Sequence, residues 1–287
     1  MLPDTRKINR TADESWRSSW IAARSLVAYG VRVGIQTNKP RILDSLLARI
    51  PNIWRPSSWS PLERVFSVRV GTTGLRKRGP VAHQLFEDQQ IVANSTDLDL
   101  ILEAFDKQLK IYVAEMAQRR VFVHAGAVEW QGKGIVIPGR SFSGKTSLVA
   151  ELVRAGATYY SDEYAVLDKH GRVHPYPTPL AVRQPDSNKQ SNISAQELGG
   201  SVGVKPLPVS LIVVSRYEPG KEWHPRRMSP GQAMLELLNN TIPARRKPEA
   251  VITTLQKAVG DAVTLKGVRG EARQTAKLIF DYLVRSR

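Results

Sequence analysis

The sequence predicts an α/β protein: a phosphate-loop nucleotide domain on a mixed sheet over residues 117–287, preceded by a small α+β part over residues 1–116. Three observations predict it. The segment Gly139-Arg-Ser-Phe-Ser-Gly144-Lys145-Thr146 fits the pattern G-x-x-x-x-G-K-[ST] without a mismatch. The apolar run Gly134-Ile-Val-Ile-Pro138 stands before it as a buried strand, and residues 147–154 follow as a helix with Leu148, Val149 and Leu152 on one face, closed by Gly156. Strand–turn–strand patterns flank this unit on both sides, which points to hairpins.

Taken in order, residues 27–33 and 65–70 run apolar as strands do. Between Pro40 and Pro51, Ile42, Leu43, Leu46, Leu47 and Ile50 recur at helical spacing. Trp54 and Trp59 flank a Pro- and Ser-rich connection, where aromatic plugs are commoner than ligand stackers. After Asn94-Ser-Thr96 a long helix begins, with Asp97 and Asp99 in its first turn where negative charge suits the helix dipole. Leu98, Ile101, Leu102, Phe105, Leu109 and Val113 hold one of its faces and lead it into the nucleotide domain.

That domain opens with a strand over 121–128, a turn at Gln131-Gly-Lys-Gly134 and the strand that feeds the loop. Beyond the loop helix, residues 157–160 form a strand ending at Ser161-Asp162-Glu163. Strands over 164–167 and 172–175 follow, separated by a turn at Asp168-Lys-His-Gly171, and 207–214 is one more strand. Ser229-Pro230 caps a helix bearing Met234, Leu235 and Leu238, and residues 271–285 place Ala276, Ile279, Tyr282 and Leu283 on one side. The polar stretch 184–203, rich in Ser, Asn and Gly, reads as a mobile loop.

Composition narrows the function classes. With 287 residues, 41% of them hydrophobic, the chain can bury a real core. It has no cysteine, which excludes disulfides and thiolate metal sites and is compatible with a reducing cytosol. The start lacks an apolar signal core and no stretch approaches the roughly 18 apolar residues of a membrane span, so a cytoplasmic protein is expected. The net charge of +16, from 42 Lys and Arg against 26 Asp and Glu, attracts anions without choosing among nucleotide, nucleic acid, acidic peptide and anionic lipid. The basic residues are scattered and no recognisable nucleic-acid module accompanies them, which favours a solvated basic face.

Each residue type in the loop answers a need of a triphosphate. Gly139 and Gly144 let the backbone turn tightly, so that amides from Gly139, Arg140, Ser141, Phe142, Ser143 and Gly144 converge on phosphate oxygens. Lys145 neutralises the β and γ phosphates, and the Thr146 hydroxyl can ligate Mg²⁺. One helix and one strand separate Lys145 from Asp162 and Glu163, so the acidic pair should return to the edge of the loop. One carboxylate there can hold Mg²⁺, directly or through water, and the other can accept the proton of an attacking hydroxyl. Asp162, which ends the strand, is the expected base and Glu163 the metal ligand. The alternative is an acidic strand end with solvated carboxylates. His124, beside the small Ala125 and Gly126, is either a structural strand histidine or a functional one. Arg183 is either a phosphate clamp or an ordinary exposed arginine. His170, His174 and His224 lack a metal-like spacing with carboxylates.

His124-Ala-Gly126, the loop from Gly139 to Thr146 and Ala155-Gly-Ala-Thr-Tyr-Tyr-Ser-Asp-Glu163 together resemble the catalytic domain of the HPr kinase/phosphorylase family. Continued through Val173-His-Pro-Tyr-Pro-Thr-Pro-Leu180, the arrangement looks most like the broad group of HPr-kinase-related bacterial proteins, including those that phosphorylate small peptides. The resemblance covers about residues 118 to 185 and implies the phosphoenolpyruvate-carboxykinase-like nucleotide fold. It gives Lys145 the β and γ phosphates, Thr146 and Glu163 the metal, Asp162 the proton, and His124 a supporting contact near the transferred phosphate. Three departures stand out: the family's second Asp is Glu163, its loop Ser is Thr146, and no Arg-Gly-Leu-Gly signature follows. They argue against reverse phosphorolysis and against HPr as the substrate.

The expected function is therefore an ATP- and Mg²⁺-dependent kinase acting on a hydroxyl, a Ser or Thr of a protein or peptide in the first instance. A small-molecule hydroxyl is the nearest rival, and a nucleotide-sensing regulatory protein with slow ATP hydrolysis is the rival from another class. Whether the chain forms an oligomer stays open.

Overall fold

A computed structural model describes residues 20–58, 61–71, 81–139, 143–183 and 190–285. It is a mixed α/β structure with several sheets, in two compact units that divide within one long helix, between Lys110 and Ile111. Residues 51–53 group with the second unit.

In the first unit, β1 (Ala22–Ala28) and β2 (Val31–Thr37) are an antiparallel hairpin. Here the structure departs from the expected single strand over 27–33. Tyr29 and Gly30 both take positive φ, 51° and 84°, which makes the two-residue turn that matches strand twist. Apolar residues on both sides hid the break. The chain then runs through α1 (Pro40–Leu47), β3 (Arg55–Pro56), β4 (Arg64–Arg69), β5 (His83–Glu87), β6 (Gln90–Ser95) and α2 (Leu98–Met116). The sheet order is β3-β1-β2-β4-β5-β6, with β2 and β4 parallel. α2 starts as expected: Asp97 Oδ1 accepts from the Asp99 backbone N–H at 2.9 Å, satisfying one of the orphan donors of the first turn. Phe105 meets Phe66 edge to face at 6.4 Å, so the helix covers the sheet. Trp54 is buried, while Trp59 lies outside the described residues.

The second unit carries the candidate site. β7 (Val121–Trp130) and β8 (Lys133–Pro138) form a hairpin whose turn is the two residues Gln131 and Gly132, at φ 51° and 78°, shorter than the expected four. Then come α3 (Lys145–Arg154), β9 (Thr158–Ser161), β10 (Tyr164–Leu167), β11 (Arg172–His174), β12 (Leu180–Arg183), β13 (Gln190–Ile193) and β14 (Leu207–Tyr217). β15 (Arg226–Arg227), α4 (Pro230–Leu238), α5 (Pro248–Gly260), β16 (Val263–Arg269) and α6 (Ala272–Arg285) complete it. β14 pairs in parallel with both β8 and β16, while β7, β9, β10 and β11 pair antiparallel, so the sheet is mixed. The strand alternation sorts the core into two layers. Ile135, Ile137, Leu211 and Val213 face α3 and α6, and Val136 and Ile212 face α4 and α5.

Two further expectations are corrected. The stretch 184–203 is not one loop: residues 190–193 pair as β13 with β12, and Val202 bridges to Tyr159. Residues 184–189 lie outside the described residues. In α4, which does open on a Ser229/Gln232 capping box, Ala233 and Leu237 are the buried pair while Leu235 is 60% exposed. The small Ala233 lets this short helix sit close, and that turns Leu235 outward.

Gly126 on β7 fixes how near α3 can lie to the sheet. A Cβ there would come within 2.4 Å of Val149 Cγ2 and 3.3 Å of Lys145 Cγ. Gly126→Val should therefore lower unfolding stability by about 1–3 kcal/mol, the scale of overpacking. Urea titration should also show Val149→Ala in the same chain recovering most of that loss. No recovery would mean that Val149 is not the contact that needs the glycine.

Candidate functional site

β8, β14 and β16 run parallel, so their C-terminal ends open on one edge of the sheet, where β8 delivers the chain to Gly139. The turn is pinned at its entry by the Gly139 N–H, which donates to His124 O at 3.3 Å, and a Cβ at Gly139 would lie 2.6 Å from Ser143 Oγ, so a side chain there would displace that hydroxyl. Arg140, Ser141 and Phe142 lie outside the described residues. The turn closes on Gly144, the N-cap of α3, in the left-handed conformation at φ 81° and ψ 12°. Glycine is needed there twice over, for its φ and because a Cβ would meet Arg269 Nη2 at 2.5 Å. No side chain among the described residues caps α3. Its first amides are the orphan donors, at the positive end of the helix dipole, that make a helix N-terminus an anion site.

Lys145, the first residue of α3, is only 8% exposed. Burial lowers the pKa of its ammonium, and the carboxylates of Asp162 and Glu163 pull it back up. The acidic pair does return to the loop. β9 runs antiparallel to β7 and ends at Ser161, whose fully buried hydroxyl accepts the backbone N–H groups of Glu163 at 3.2 Å and Tyr164 at 3.0 Å. That turn sets Asp162 and Glu163 at the strand end.

Asp162 is 8% exposed, and burial raises its carboxyl pKa against the lowering effects of Lys145 and of a hydrogen bond from the Thr146 hydroxyl. Its Oδ1 is buried with no hydrogen-bond partner among the described residues. An orphan oxygen on a buried carboxylate, with its companion groups an ammonium and a hydroxyl, fits a divalent cation or a hydroxyl proton as the missing partner. Among the described residues no group of three or more His, Cys, Asp or Glu forms a metal cluster by itself, so any cation here would draw further oxygens from its ligand.

His124 faces this group from β7. Its N–H donates to Asn240 O at 2.7 Å, it stands opposite Tyr164 in the strand register, and its ring lies 6.1 Å from that tyrosine's ring. Burial, reinforced by the Lys145 charge, lowers its pKa from 6.5 to about 4, so the imidazole is neutral at pH 7. It can donate or accept a hydrogen bond but brings no charge.

The structure thus brings Lys145, Thr146, Asp162, Glu163 and His124 to one place, beside the ends of the loop at Gly139, Ser143 and Gly144. Arg183 ends β12. His170 and His174 belong elsewhere: the His170 N–H and the His174 ring bond to Asp168, each at 2.9 Å. Two residues of this neighbourhood escaped the sequence. The Tyr159 hydroxyl donates to Thr178 O at 2.7 Å and takes the backbone N–H of Asp162, and the buried Arg269 donates to Gly144 O at 2.6 Å. No motif marks either one. The local signal for Tyr159 is an aromatic in the strand before the acidic pair, and for Arg269 it is a charge ending an apolar strand.

No protein-family model matches the chain, and no curated protein sequence matches it either. Among solved structures, the Hpr(Ser) kinase/phosphatase from Coxiella burnetii aligns over 57% of this chain and 97% of its own, at 12% identity and a TM-score of 0.35.

The neutral His124 generates a stability prediction. Because its folded pKa lies below the unfolded value, the unfolded chain binds the proton first as pH falls from 6.5 to about 4. Folding stability should decline across that window, by on the order of 2–3 kcal/mol from this residue. His174 is shifted in the same direction, so the comparison of wild type with His124→Gln isolates the effect. Denaturant titrations from pH 7 to 4 should show a shallower decline in the variant; parallel curves would mean His124 is not held neutral by its site.

Proposed function

We propose that this chain is an ATP- and Mg²⁺-dependent kinase on a phosphoenolpyruvate-carboxykinase-like P-loop domain over residues 117–287, transferring the γ-phosphoryl group to a Ser or Thr of a protein or peptide in the cytoplasm. One observation carries the reading. A helix N-terminus without a side-chain cap among the described residues, at the end of a G-x-x-x-x-G-K-T loop, stands beside a buried carboxylate that holds the loop threonine's hydroxyl and has one oxygen with no hydrogen-bond partner among those residues.

The residues divide the work by their chemistry. The loop amides and Lys145 bind and neutralise the polyphosphate. Thr146 and Glu163, with Asp162 at hand, would hold Mg²⁺, which when bound neutralises charge on the β and γ phosphates. Asp162 accepts the proton of the acceptor hydroxyl as its oxygen bonds to the γ phosphorus and the bond to the β–γ bridging oxygen breaks, releasing ADP. The raised pKa of Asp162 makes it a stronger base than a solvated aspartate, and transfer should rise with pH through that raised value. Neutral His124 adds a hydrogen bond near the transferred group without competing with Lys145 for the phosphates. The competing reading, a nucleotide sensor with slow hydrolysis, needs the metal ligands but no positioned base.

Asp162→Asn separates the two. It keeps the shape and removes the charge a base needs. The expected outcome is near wild-type MgATP affinity by calorimetry, with transfer of labelled phosphate to a Ser/Thr peptide array lowered by about 10²-fold or more. Affinity that falls with the rate and becomes more Mg²⁺-dependent would make Asp162 chiefly a metal ligand. Wild-type transfer by the variant would remove it from the chemistry.

A further inference from the structure

Arg269 is the last residue of β16 and is 1% exposed, among the largest fully buried side chains described. One terminal nitrogen donates to Gly144 O at 2.6 Å and the other to Gly270 O at 2.9 Å. Its guanidinium carbon lies 5.4 Å from the centroid of the Tyr217 ring, contributed by the register partner of Arg269 on β14. Tyr217 in turn donates its hydroxyl to Glu271 at 3.2 Å. The Nε of Arg269 is buried with no hydrogen-bond partner among the described residues.

Two carbonyls and an aromatic face are poor compensation for a desolvated guanidinium. Burying such a charge carries a desolvation penalty that an anion in good geometry normally offsets. Glu271 favours the charged form only through space, from an exposed position beyond Tyr217. If the need were only to hold the Gly144 carbonyl, a neutral amide would do so at smaller cost. The carbonyl is a telling place to hold. Gly144 O also accepts the first hydrogen bond of α3, from Leu148 N at 3.2 Å, so the peptide plane joining Gly144 to Lys145 is fixed from both sides. That plane aims the Lys145 amide, and the Arg269 charge stands directly behind it.

We infer that Arg269 is a positioning residue of the phosphate site, fixing the Gly144–Lys145 peptide and adding a second buried positive charge whose counter-charge is the polyphosphate of the bound nucleotide. This rests on the nucleotide-site reading given above and extends it to a residue 125 positions away in the chain. The arrangement also ties the glycine at 144 to Arg269: the guanidinium occupies the space that any Cβ at 144 would enter.

The test compares Arg269→Lys, which keeps charge and one donor, with Arg269→Gln, which keeps a donor and loses charge. MgATP affinity by calorimetry should fall at least about tenfold in Arg269→Gln and stay within about threefold of wild type in Arg269→Lys, with similar thermal unfolding midpoints for the two apo proteins. Equal affinities in the two variants, or wild-type affinity in Arg269→Gln, would overturn the inference, since a purely structural tether responds to the lost fork and not to the lost charge. Should Arg269→Gln lose its cooperative unfolding transition, Tyr217→Leu decides. Tyr217 is 42% exposed, so its removal spares the core while stripping the aromatic face from the guanidinium. MgATP binding weaker by clearly more than about threefold supports the inference, and binding within about threefold of wild type overturns it. Lys145→Ala is the control that separates the two readings. Normal MgATP binding by that variant, or none by wild type, defeats the nucleotide site itself and this inference with it. Binding that depends on Lys145 but not on Arg269 defeats this inference alone.

Discussion

The Lys145 ammonium, nearly stripped of water at the start of α3, is the constraint around which the second unit is organised. Negative charge offsets the cost of burying a cation, and β9 ends where Asp162 and Glu163 supply it to Lys145. Its aliphatic stem needs room against β7, and Gly126 supplies that room by having no side chain. His124, also facing the ammonium, is held neutral by its own burial, which the Lys145 charge reinforces. The missing side chain at Gly126 and the acidic pair at the end of β9 both serve one desolvated charge.

Around that pair the protein fixes backbone more than side chains. Ser161 holds the amides of Glu163 and Tyr164, Tyr159 holds the amide of Asp162, and Arg269 holds the carbonyl of Gly144. The two halves of the site are thus set by groups that lie behind them, on strands of the same sheet. A polar group anchored through its own backbone loses little further freedom when it acts, which is the advantage of preorganisation. The Thr146 hydroxyl is spent on Asp162, whose Oδ1 is buried without a hydrogen-bond partner among the described residues.

What could be read from the sequence was what depends on neighbours in the chain. The loop's glycines, the helix behind it and the return of the acidic pair all follow from local turn chemistry and element length, and α2 announced itself through Asp97 and a continuous apolar face. Sequence reasoning failed where a short-range pattern was ambiguous or the partner was distant. Tyr29-Gly30 turns inside an apolar run that looks like one strand, and Gln190–Ile193 pairs through polar residues that look like a loop. Arg269 reads as an ordinary charge at a strand end, because its burial depends on a contact with Gly144 that only the parallel pairing of β8, β14 and β16 creates.

The same unit contains a second buried carboxylate, and the two are bonded very differently. Asp168 is 3% exposed, but it receives the backbone N–H groups of His170 and Arg172, the Arg172 guanidinium and the His174 ring. Burial pushes its pKa up, yet those hydrogen bonds outweigh burial and hold the carboxyl far below the usual range. Both its oxygens are satisfied, so it ties the β10–β11 turn and has nothing left to offer a ligand. Asp162, buried to a similar degree, keeps one oxygen without a partner and has its pKa pushed up. A chain able to satisfy one buried aspartate so fully has left the other incomplete beside a lysine, a threonine hydroxyl and an open helix end. Unmet hydrogen-bonding capacity at that one carboxylate, more than the presence of acidic residues as such, is what distinguishes a site from a fold support.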